Sequence, residues 1–339
     1  MLLHRTRRIA AGLVLCGLAI GASACESAND AGSGAAKSGA YPKGRVSIMA
    51  PADPGGGWDE TARALQDTVR KSGLAKGTEV YNVPGAGGTI GLNQLATKRS
   101  GDPNQLMVMG LVMVGAIEQN KAHTDLSKVT PIASLTSEPE AIVVPAKSKY
   151  QTLEQLVDDL KADPAKVSFA GGSAGGSDHL LVGLLAKAAG VPGSKVKYVA
   201  YSGGGEAKAA ILSGSVDAGV SGVSEFADQV KAGKMRVLAV STGKPVPVGG
   251  KPAPTIKDAG YDVEMTNWRG LVAPPNISAA DREQIVAWVE KLHASPEWRH
   301  NLERFGWTDF FQVGSEFDRF VTSETTRVQA IVRDLGLAS

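Results

Sequence analysis

Apolar and polar positions alternate along the chain with two different periods. From residue 44 onward, short apolar runs such as 46–50, 106–112 and 167–170 are bounded by turn residues, as expected for strands buried in a sheet. Between such runs, segments such as 59–71 carry apolar residues at helical spacing on one face. Strands that alternate with helices in this way predict an α/β fold built around parallel sheets.

The first 25 residues have the pattern of an export signal. A basic segment at 5–8 precedes an apolar segment at 9–20, and the small residues 22–24 form a cleavage site. The apolar segment is too short to span a bilayer of about 30 Å. We therefore predict a signal peptide over residues 1–24. Cys25 follows in an arrangement that resembles the lipobox of bacterial lipoproteins, which favours acylation of its thiol; cleavage before an unmodified cysteine is the alternative.

Cysteine usage and charge narrow the class of protein further. Because Cys16 lies in the signal peptide, the mature chain keeps only Cys25 and forms no internal disulfide. Residues 25–43 are rich in Ser, Gly and Ala, which predicts a lipidated N-terminus and a flexible tether at the extracytoplasmic face of the cell membrane. The net charge of +2 includes the signal-peptide arginines, so it gives no reason to expect a nucleic-acid partner.

Three glycine-rich loops each follow a predicted strand and open a helix. They span residues 54–59, 84–89 and 171–177. In open α/β sheets, ligands bind at the carboxyl ends of strands, where free N–H groups and the positive ends of helices meet. None of these loops contains Lys or Arg, so we expect a carboxylate here to be held by neutral donors, among them the hydroxyls of Thr89, Ser173 and Ser177.

The same loops lack the patterns of several other sites. The dinucleotide fingerprint fails because Ile90 stands where its third glycine is required, and no Walker A sequence with Gly-Lys-Ser/Thr occurs. The five histidines are scattered and no carboxylate cluster has ligand spacing, so we predict neither a metal site nor a cofactor.

Further motifs extend the pattern of the loops along most of the chain. The segments concerned are 51–59, 82–88, 171–179, 200–204, 233–240, 254–256 and 268–271. In this order and spacing they resemble the Bug or TctC solute receptors of tripartite tricarboxylate transporters. The resemblance covers roughly residues 45–337, with Ala200 standing where the family usually has proline.

This resemblance implies a two-lobed flytrap of the type II periplasmic-binding-protein class, with the ligand in a cleft between the lobes. Residues 44–142 and 243–339 would share one lobe, and 143–242 would form the other, with hinges predicted at Pro145 and 241–244. It also implies a monomeric receptor without catalysis. Such a receptor would capture a small organic carboxylate, either a di- or tricarboxylate such as citrate or an aromatic acid, for the permease subunits of the transporter.

The resemblance also places the ligand against specific residues. Those expected in the site are Gly56, Gly57, Trp58, Asp59, Gly87, Gly88, Thr89, Ser173, Gly176, Ser177, His179, Tyr201, Gly203, Gly204, Trp268 and Arg269. Asp59 is expected to order its own loop, and a structural role for His179 is favoured over direct contact. Trp58 stands where a smaller residue is usual and is expected to narrow the cleft or to favour an aromatic ligand. Arg269 departs from the family pattern and either contacts a second carboxylate or faces solvent.

Two other functions fit parts of the sequence. Residues 171–175 match the G-x-S-x-G pattern of a nucleophile elbow, which would make Ser173 the nucleophile of a secreted serine hydrolase. The late histidines such a triad needs, His293 and His300, lie in polar helical stretches typical of a solvated face. A purely structural surface lipoprotein would leave the three loops unexplained. We therefore predict a receptor and keep the hydrolase as the alternative.

Overall fold

The computed structural model describes residues 41–201 and 204–338. The predicted signal peptide, Cys25 and most of the predicted tether lie outside the described residues, as does Gly203. Within the described part of the chain, no helix combines the length and the hydrophobicity that crossing a membrane requires.

Strands and helices alternate along the described residues, as the apolar pattern predicts. The strands are β1 (Val46–Ala50), β2 (Thr78–Asn82), β3 (Gln105–Gly110), β4 (Thr130–Pro145), β5 (Ser168–Gly171), β6 (Lys197–Ala200), β7 (Ala218–Gly222), β8 (Met235–Val240), β9 (Val246–Val248), β10 (Lys251–Ala253), β11 (Thr266–Ala273) and β12 (Thr308–Val313). The helices are α1 (Gly57–Ser72), α2 (Thr89–Lys98), α3 (Leu111–Gln119), α4 (Leu153–Ala162), α5 (Ser177–Ala188), α6 (Gly204–Ser213), α7 (Val223–Lys231), α8 (Ala279–His293), α9 (Pro296–Phe305) and α10 (Gly314–Asp334).

The local sequence explains where these helices begin and end. Helix α1 buries Ala62, Leu65 and Val69, which recur at helical spacing on one face. It ends at Gly73, whose φ of 68° lets its N–H bond back to the carbonyl of Val69. At the other end of the chain, the hydroxyl of Ser278 accepts a hydrogen bond from the N–H of Asp281 and so begins α8.

A single mixed sheet runs through the molecule in the order β2-β1-β3-β11-β4-β7-β5-β6. Strands β8 and β12 also pair with β4, and β9 and β10 form a separate antiparallel pair. Two parallel groups, β2-β1-β3 and β6-β5-β7, lie on the two sides of the antiparallel strands β11 and β4. The βαβ units therefore occur in two sets, joined through β4.

Strand β4 is long enough to belong to both sets. Its residue Pro139 pairs with Thr266 of β11, whereas the next residue, Glu140, pairs with Gly222 of β7. This change of partner falls slightly before the predicted boundary at residue 142. Pro145, one of the predicted hinge positions, pairs with Met235 at the end of the ladder between β4 and β8.

The buried side chains also fall into two clusters. The larger one packs α1, α5, α8 and α10 against the sheet, with Leu65, Leu106 and Phe317 fully buried. The smaller one packs α6 and α7 against the second half of β4, around Val143 and Phe226. Burial of these apolar surfaces holds each set of strands in place and fixes the loops at the strand ends.

Candidate functional site

A cavity of about 270 Å³ opens where the strands of the two parallel groups end. Most of the residues predicted for the site line it: Gly56, Gly57, Trp58, Gly87, Gly88, Ser173, Gly176, Ser177, Tyr201 and Arg269. The described residues that line it without having been predicted include Asn120, Asp178, Ser221, Glu225 and Asn267. The three glycine-rich loops are thus brought together, although the third begins 82 positions after the second ends.

Helix N-termini point their free N–H groups toward this cavity. Helices α1 and α5 begin after Gly56 and Gly176, and neither has a side chain that caps its first turn. The first N–H groups of a helix have no partner within the helix, and they carry the positive end of its dipole. The lining therefore offers backbone donors suited to an anion without using a lysine.

Two glycines allow side chains and backbone to approach closely here. A Cβ atom at Gly57 would lie 2.4 Å from Nη2 of Arg269, so the guanidinium packs directly on the start of α1. Gly88 has a φ of 86°, and a Cβ atom there would lie 2.6 Å from the Trp58 ring. Any larger residue at either position would displace a side chain that lines the cavity.

Asp59 lies behind the cavity and orders the first loop. Its carboxylate is 3% exposed and accepts hydrogen bonds from the Gly55 N–H (2.9 Å), Arg63 Nε (2.8 Å) and Asn82 Nδ2 (3.0 Å). Burial alone would raise the pKa of Asp59, but these hydrogen bonds, led by that of Arg63, hold it below its ordinary value. The carboxylate stays ionised and ties the ends of the loops after β1 and β2 together.

His179 likewise supports a loop rather than lining the cavity. Its Nδ1 accepts a hydrogen bond from the Gly175 N–H at 3.1 Å, and its ring stacks on Tyr198 with centroids 4.2 Å apart. Burial lowers the pKa of His179 to about 4, so the imidazole is neutral at physiological pH. The favoured structural role for His179 agrees with this geometry.

Two further predicted residues, Thr89 and Trp268, do not line the cavity. The Thr89 hydroxyl donates to the carbonyl of Ala86 at 2.9 Å within its own turn. Trp268 donates from Nε1 to Glu324 at 2.9 Å and packs its ring against Phe320. Side chains of a strand alternate between its faces, which explains why Trp268 points away from the cavity while its neighbours in β11 line it.

The position of Arg269 rules out one of the two roles considered for it from the sequence. Its side chain is 2% exposed, so the expectation that it faces solvent is wrong. Nη2 donates to Glu138 Oε2 at 2.6 Å, and Glu138 in turn accepts from the Ser224 N–H at 2.8 Å. Burial opposes the charge of Arg269, but the carboxylates of Glu138, Glu225 and Glu60 outweigh it and raise the pKa of the guanidinium. A charge network that the sequence did not reveal therefore spans from β11 through β4 to α7.

The carboxyl groups around this network outnumber the cations. Glu140 is fully buried, and Asp178 and Ser177 lie close enough to hydrogen-bond with its carboxyl group. Burial, followed by the charge of Asp178, raises the pKa of Glu140 well above its ordinary value. Burial, followed by Asp178 and Glu60, raises the pKa of Glu225 to about 8. Any two of Glu60, Glu140, Asp178 and Glu225 are 38 to 165 positions apart in the chain, so no local motif predicts that they meet.

The remaining predicted residues, Tyr201, Gly203 and Gly204, lie in the sequence between the end of β6 and the start of α6. Tyr201 lines the cavity and donates from its N–H to the carbonyl of Gly171 at 2.9 Å. Gly204 is the first residue of α6. Gly203 lies outside the described residues.

No hydrolase geometry surrounds Ser173 in the described part of the chain. No described histidine lines the cavity. His293 instead pairs with Asp309 at 2.9 Å and stacks on Phe311, while His300 is exposed. A serine without a neighbouring base is not activated as a nucleophile. Over residues 41–201 and 204–338, no group of three or more His, Cys, Asp or Glu side chains has the arrangement to hold a metal ion.

Comparison with known proteins agrees with this geometry. Residues 61–337 match the family model of the TctC or tripartite tricarboxylate transporter family receptor. The chain is 27% identical over 313 residues to Protein BugT of Bordetella pertussis, with 87% of this chain and 90% of BugT covered.

Solved structures share the fold. The periplasmic binding protein BugD superposes with a TM-score of 0.79 at 24% identity, covering 88% of this chain and 99% of BugD. MatC from Rhodopseudomonas palustris with bound malate gives 0.74 at 22% identity, covering 86% and 100%. A second R. palustris protein with adipate gives 0.79 at 20% identity, covering 88% and 99%. The α/β periplasmic-binding-protein fold predicted from the sequence is therefore confirmed.

Proposed function

Because the chain belongs to the tripartite tricarboxylate transporter receptor family, we propose that it captures a small organic carboxylate in the cavity between its glycine-rich loops. Members of this family are solute-binding receptors, so the protein is a receptor and not an enzyme. The relatives with bound malate and adipate support the class of ligand proposed here.

The donors around the cavity carry the proposal. The uncapped first turns of α1 and α5, together with the hydroxyl of Ser173, present N–H and O–H groups to a cavity of about 270 Å³. Carboxylates bind well to such donors because each hydrogen bond to a charged group is worth about 1.5–3 kcal/mol. The volume is at the small end for ligand pockets, which suits a di- or tricarboxylate such as citrate, while the wall formed by Trp58 also suits an aromatic acid.

Ligand capture would involve closure of two lobes. In this proposal residues 44–142 and 243–339 form one lobe and 143–242 the other, and the change of partners in β4 at Pro139 and Glu140 supports a hinge there. A ligand that contacts both lobes favours the closed form, since it binds that form more tightly. Small-angle scattering should show compaction at saturating ligand, and an unchanged radius of gyration would contradict closure.

Location and partners form the last part of the proposal. The export pattern of residues 1–24 and the membership of a receptor family support an exported protein that delivers its ligand to permease subunits. Acylation of Cys25 would anchor it to the membrane. Metabolic labelling with a palmitate analogue should label the wild type but not Cys25→Ser; equal labelling, or none in either, would contradict the anchor.

A thermal-shift screen of the purified protein against malate, succinate, adipate, citrate and benzoate tests the ligand class. At 100 times the dissociation constant a ligand adds about 2.7 kcal/mol of stability. Ser173→Ala should weaken the best ligand about 10-fold, because it removes one donor to a charged group. The exposed Ser323→Ala is the matched control and should bind like the wild type. If no carboxylate stabilises the protein at millimolar concentration, the proposed ligand class is wrong.

A further inference from the structure

Three carboxyl groups meet at one side of the cavity. We call Glu140, Asp178 and Glu225 the carboxyl cluster; they come from β4 and from the first turns of α5 and α7. Asp178 and Glu225 line the cavity, whereas Glu140 is fully buried beside Asp178. Two members of the cluster therefore touch the space that a ligand would fill, and the third touches one of those two.

Glu140 and Asp178 form a buried pair of acids. Their carboxyl groups lie within hydrogen-bonding reach of each other, and both side chains are buried. Asp178 also accepts hydrogen bonds from the Gly172 N–H at 2.6 Å and from the Ser177 hydroxyl at 3.1 Å. Among the described residues, no ion pair involves either carboxyl group. Two adjacent buried carboxylates without a cation repel each other, so the pair holds a shared proton.

The surroundings place this proton on Glu140. Burial raises the pKa of Asp178, and the hydrogen bonds from Glu140, Gly172 and Ser177 only partly oppose it. Asp178 also lies in the first turn of α5, where the helix dipole favours a negative charge. Burial, followed by the charge of Asp178, raises the pKa of Glu140 well above its ordinary value of 4.5. The pair therefore carries one negative charge and one proton at neutral pH. The nearest other titratable group on this side is Tyr198, whose hydroxyl donates to the Gly172 carbonyl at 2.9 Å.

Glu225 is the second member of the cluster that holds a proton. Its Oε2 receives no hydrogen bond from a described group. Burial, followed by neighbouring carboxyl groups, raises its pKa to about 8, and those neighbours are Asp178, Glu60 and Glu138. Arg269 opposes them.

Two cations face Glu225, but each donates to another acceptor. Arg269 Nη2 donates to Glu138 Oε2 at 2.6 Å, and Lys208 Nζ donates to the backbone carbonyl of Glu225 at 3.0 Å. Nη1 of Arg269 has no partner among the described residues and offers a donor to an anion. Since neither cation forms an ion pair with the Glu225 carboxyl group in the described part of the chain, that group stays protonated at neutral pH.

We propose that the carboxyl cluster makes the cavity capture its anionic ligand together with a proton, so that affinity falls as the solution becomes alkaline. Proton-coupled capture rests on the proposed function, because it concerns the regulation of the same site. A ligand carboxylate at the first turn of α5 would lie beside Asp178 and add a negative charge to the cluster. A nearby negative charge favours the protonated form of a carboxyl group, so binding draws a proton to the cluster. By linkage, affinity falls where the ligand-free cluster has lost that proton.

Glu225 sets the pH range of this effect. The ligand-free protein keeps Glu225 protonated below about pH 8 and ionises it above that pH. In the complex, the charge of the ligand keeps the proton in place to a higher pH. Between these two limits, affinity should fall by up to about 10-fold per pH unit, because one proton is taken up with each ligand. Near neutral pH both states hold the proton, and affinity should change little.

Isothermal titration of the purified protein from pH 7 to 9 measures the coupling. The probe is whichever of malate, succinate, adipate, citrate and benzoate binds, since their carboxylates stay ionised throughout this range. Titration in two buffers of different ionisation enthalpy counts the protons exchanged. We expect affinity to fall about 10-fold from pH 7 to 9 and proton uptake to approach about one per ligand above pH 8. Binding that is unchanged over this range, with no proton exchanged, would overturn proton-coupled capture but leave the carboxylate receptor intact. If none of the five carboxylates binds at any pH, the proposed function itself fails.

A variant assigns the pH dependence to the cluster. Glu225→Gln keeps the shape of the side chain and has no proton to lose, so its affinities at pH 7 and 9 should agree within about 3-fold. Glu290→Gln, on the exposed face of α8, is the matched control and should show the same fall as the wild type. A full fall in Glu225→Gln would contradict the assignment.

The buried pair has a test that needs no ligand. The folded protein holds a proton on Glu140 that the unfolded chain releases above its ordinary pKa of 4.5, so raising the pH favours unfolding. In urea denaturation between about pH 5.5 and 7.5, the folding equilibrium constant of the wild type should fall relative to that of Glu140→Gln by up to about 10-fold per pH unit. If Glu140→Gln does not fold, Asp178→Asn also leaves one carboxyl group in the pair and gives the same comparison. A ratio that does not change with pH would show that the pair holds no proton and would overturn the role of the cluster.

Discussion

The glycine-rich loops and a second part of the lining, which we call the acidic wall and which is formed by Ser221, Glu225, Asn267 and Arg269, line the same cavity but are built in different ways. The loops offer backbone N–H groups and hydroxyls from contiguous motifs, and their supporting side chains, Asp59 and His179, lie behind them. The acidic wall relies on side-chain charges from β4, β11 and α7, held by the buried pair of Glu138 and Arg269. The comparison teaches that neutral donors can be arranged locally, whereas buried charges need partners from distant parts of the chain.

The largest effect is expected from breaking the buried pair. Glu138→Ala would leave Arg269 charged and without its hydrogen-bonded carboxylate, and it would also remove the acceptor of the Ser224 N–H. We expect the free energy of unfolding to fall by about 3–5 kcal/mol in urea denaturation. The double variant Glu138→Met with Arg269→Met removes both charges and should recover much of that loss. A single variant within about 1 kcal/mol of the wild type would show that the pair does not hold the wall.

A smaller loss is expected where the loops meet the acidic wall. In Gly57→Ala the new methyl group would lie 2.4 Å from Arg269 Nη2, which Glu138 holds in place. The variant should lose about 1–3 kcal/mol of stability, as overpacking usually costs. Gly205→Ala is the control, since a Cβ atom there meets nothing within 4 Å. Equal melting temperatures for the two variants would contradict the close contact described here.

Asp59, which supports the first glycine-rich loop, should make the free energy of unfolding depend on pH. Because the pKa of Asp59 is lowered in the folded protein, its ionised form contributes stability above its ordinary pKa of about 3.9 and loses it as the pH falls. Asp59→Asn should therefore be destabilised by about 1–2 kcal/mol at pH 7, with a gap that narrows below about pH 4. Melting curves at pH 7 and 3.5 measure this gap. A gap that widens on acidification would reverse the assigned sign.

The smallest effect is a difference in ligand affinity between a residue that lines the cavity and one that lies beside it. Thr89 bonds within its own turn and does not line the cavity, whereas Ser173 does. Thr89→Ala should leave ligand affinity unchanged, while Ser173→Ala weakens it about 10-fold. Titration of both variants with the same carboxylate checks this. Equal losses in the two would mean that Thr89 reaches the ligand after all.

Much of the fold follows from local patterns in the sequence. The apolar face of α1, the Ser278 cap of α8 and the glycine-rich turns after β1, β2 and β5 are each contained within a few residues. Local patterns of this kind specify helices and turns because the interactions that form them are themselves local. The order of the motifs predicts that the three loops belong to one site, and residues of all three loops line the same cavity.

The acidic wall could not be predicted in this way. Glu138, Glu225 and Arg269 meet only because β4 continues across both sets of strands and pairs with β11. Side chains alternate along β11, so a strand over residues 266–273 puts Trp268 and Arg269 on opposite faces and Asn267 on the face of Arg269. The partners of these residues still depend on tertiary pairing.

A crystal structure of the protein with the tightest-binding carboxylate tests the central claim most directly. The account predicts that a ligand carboxylate lies within about 2.7–2.9 Å of first-turn N–H groups of α1 or α5, as in charge-assisted hydrogen bonds. A ligand bound outside this cavity, or one whose carboxylates contact none of the loops, would contradict it.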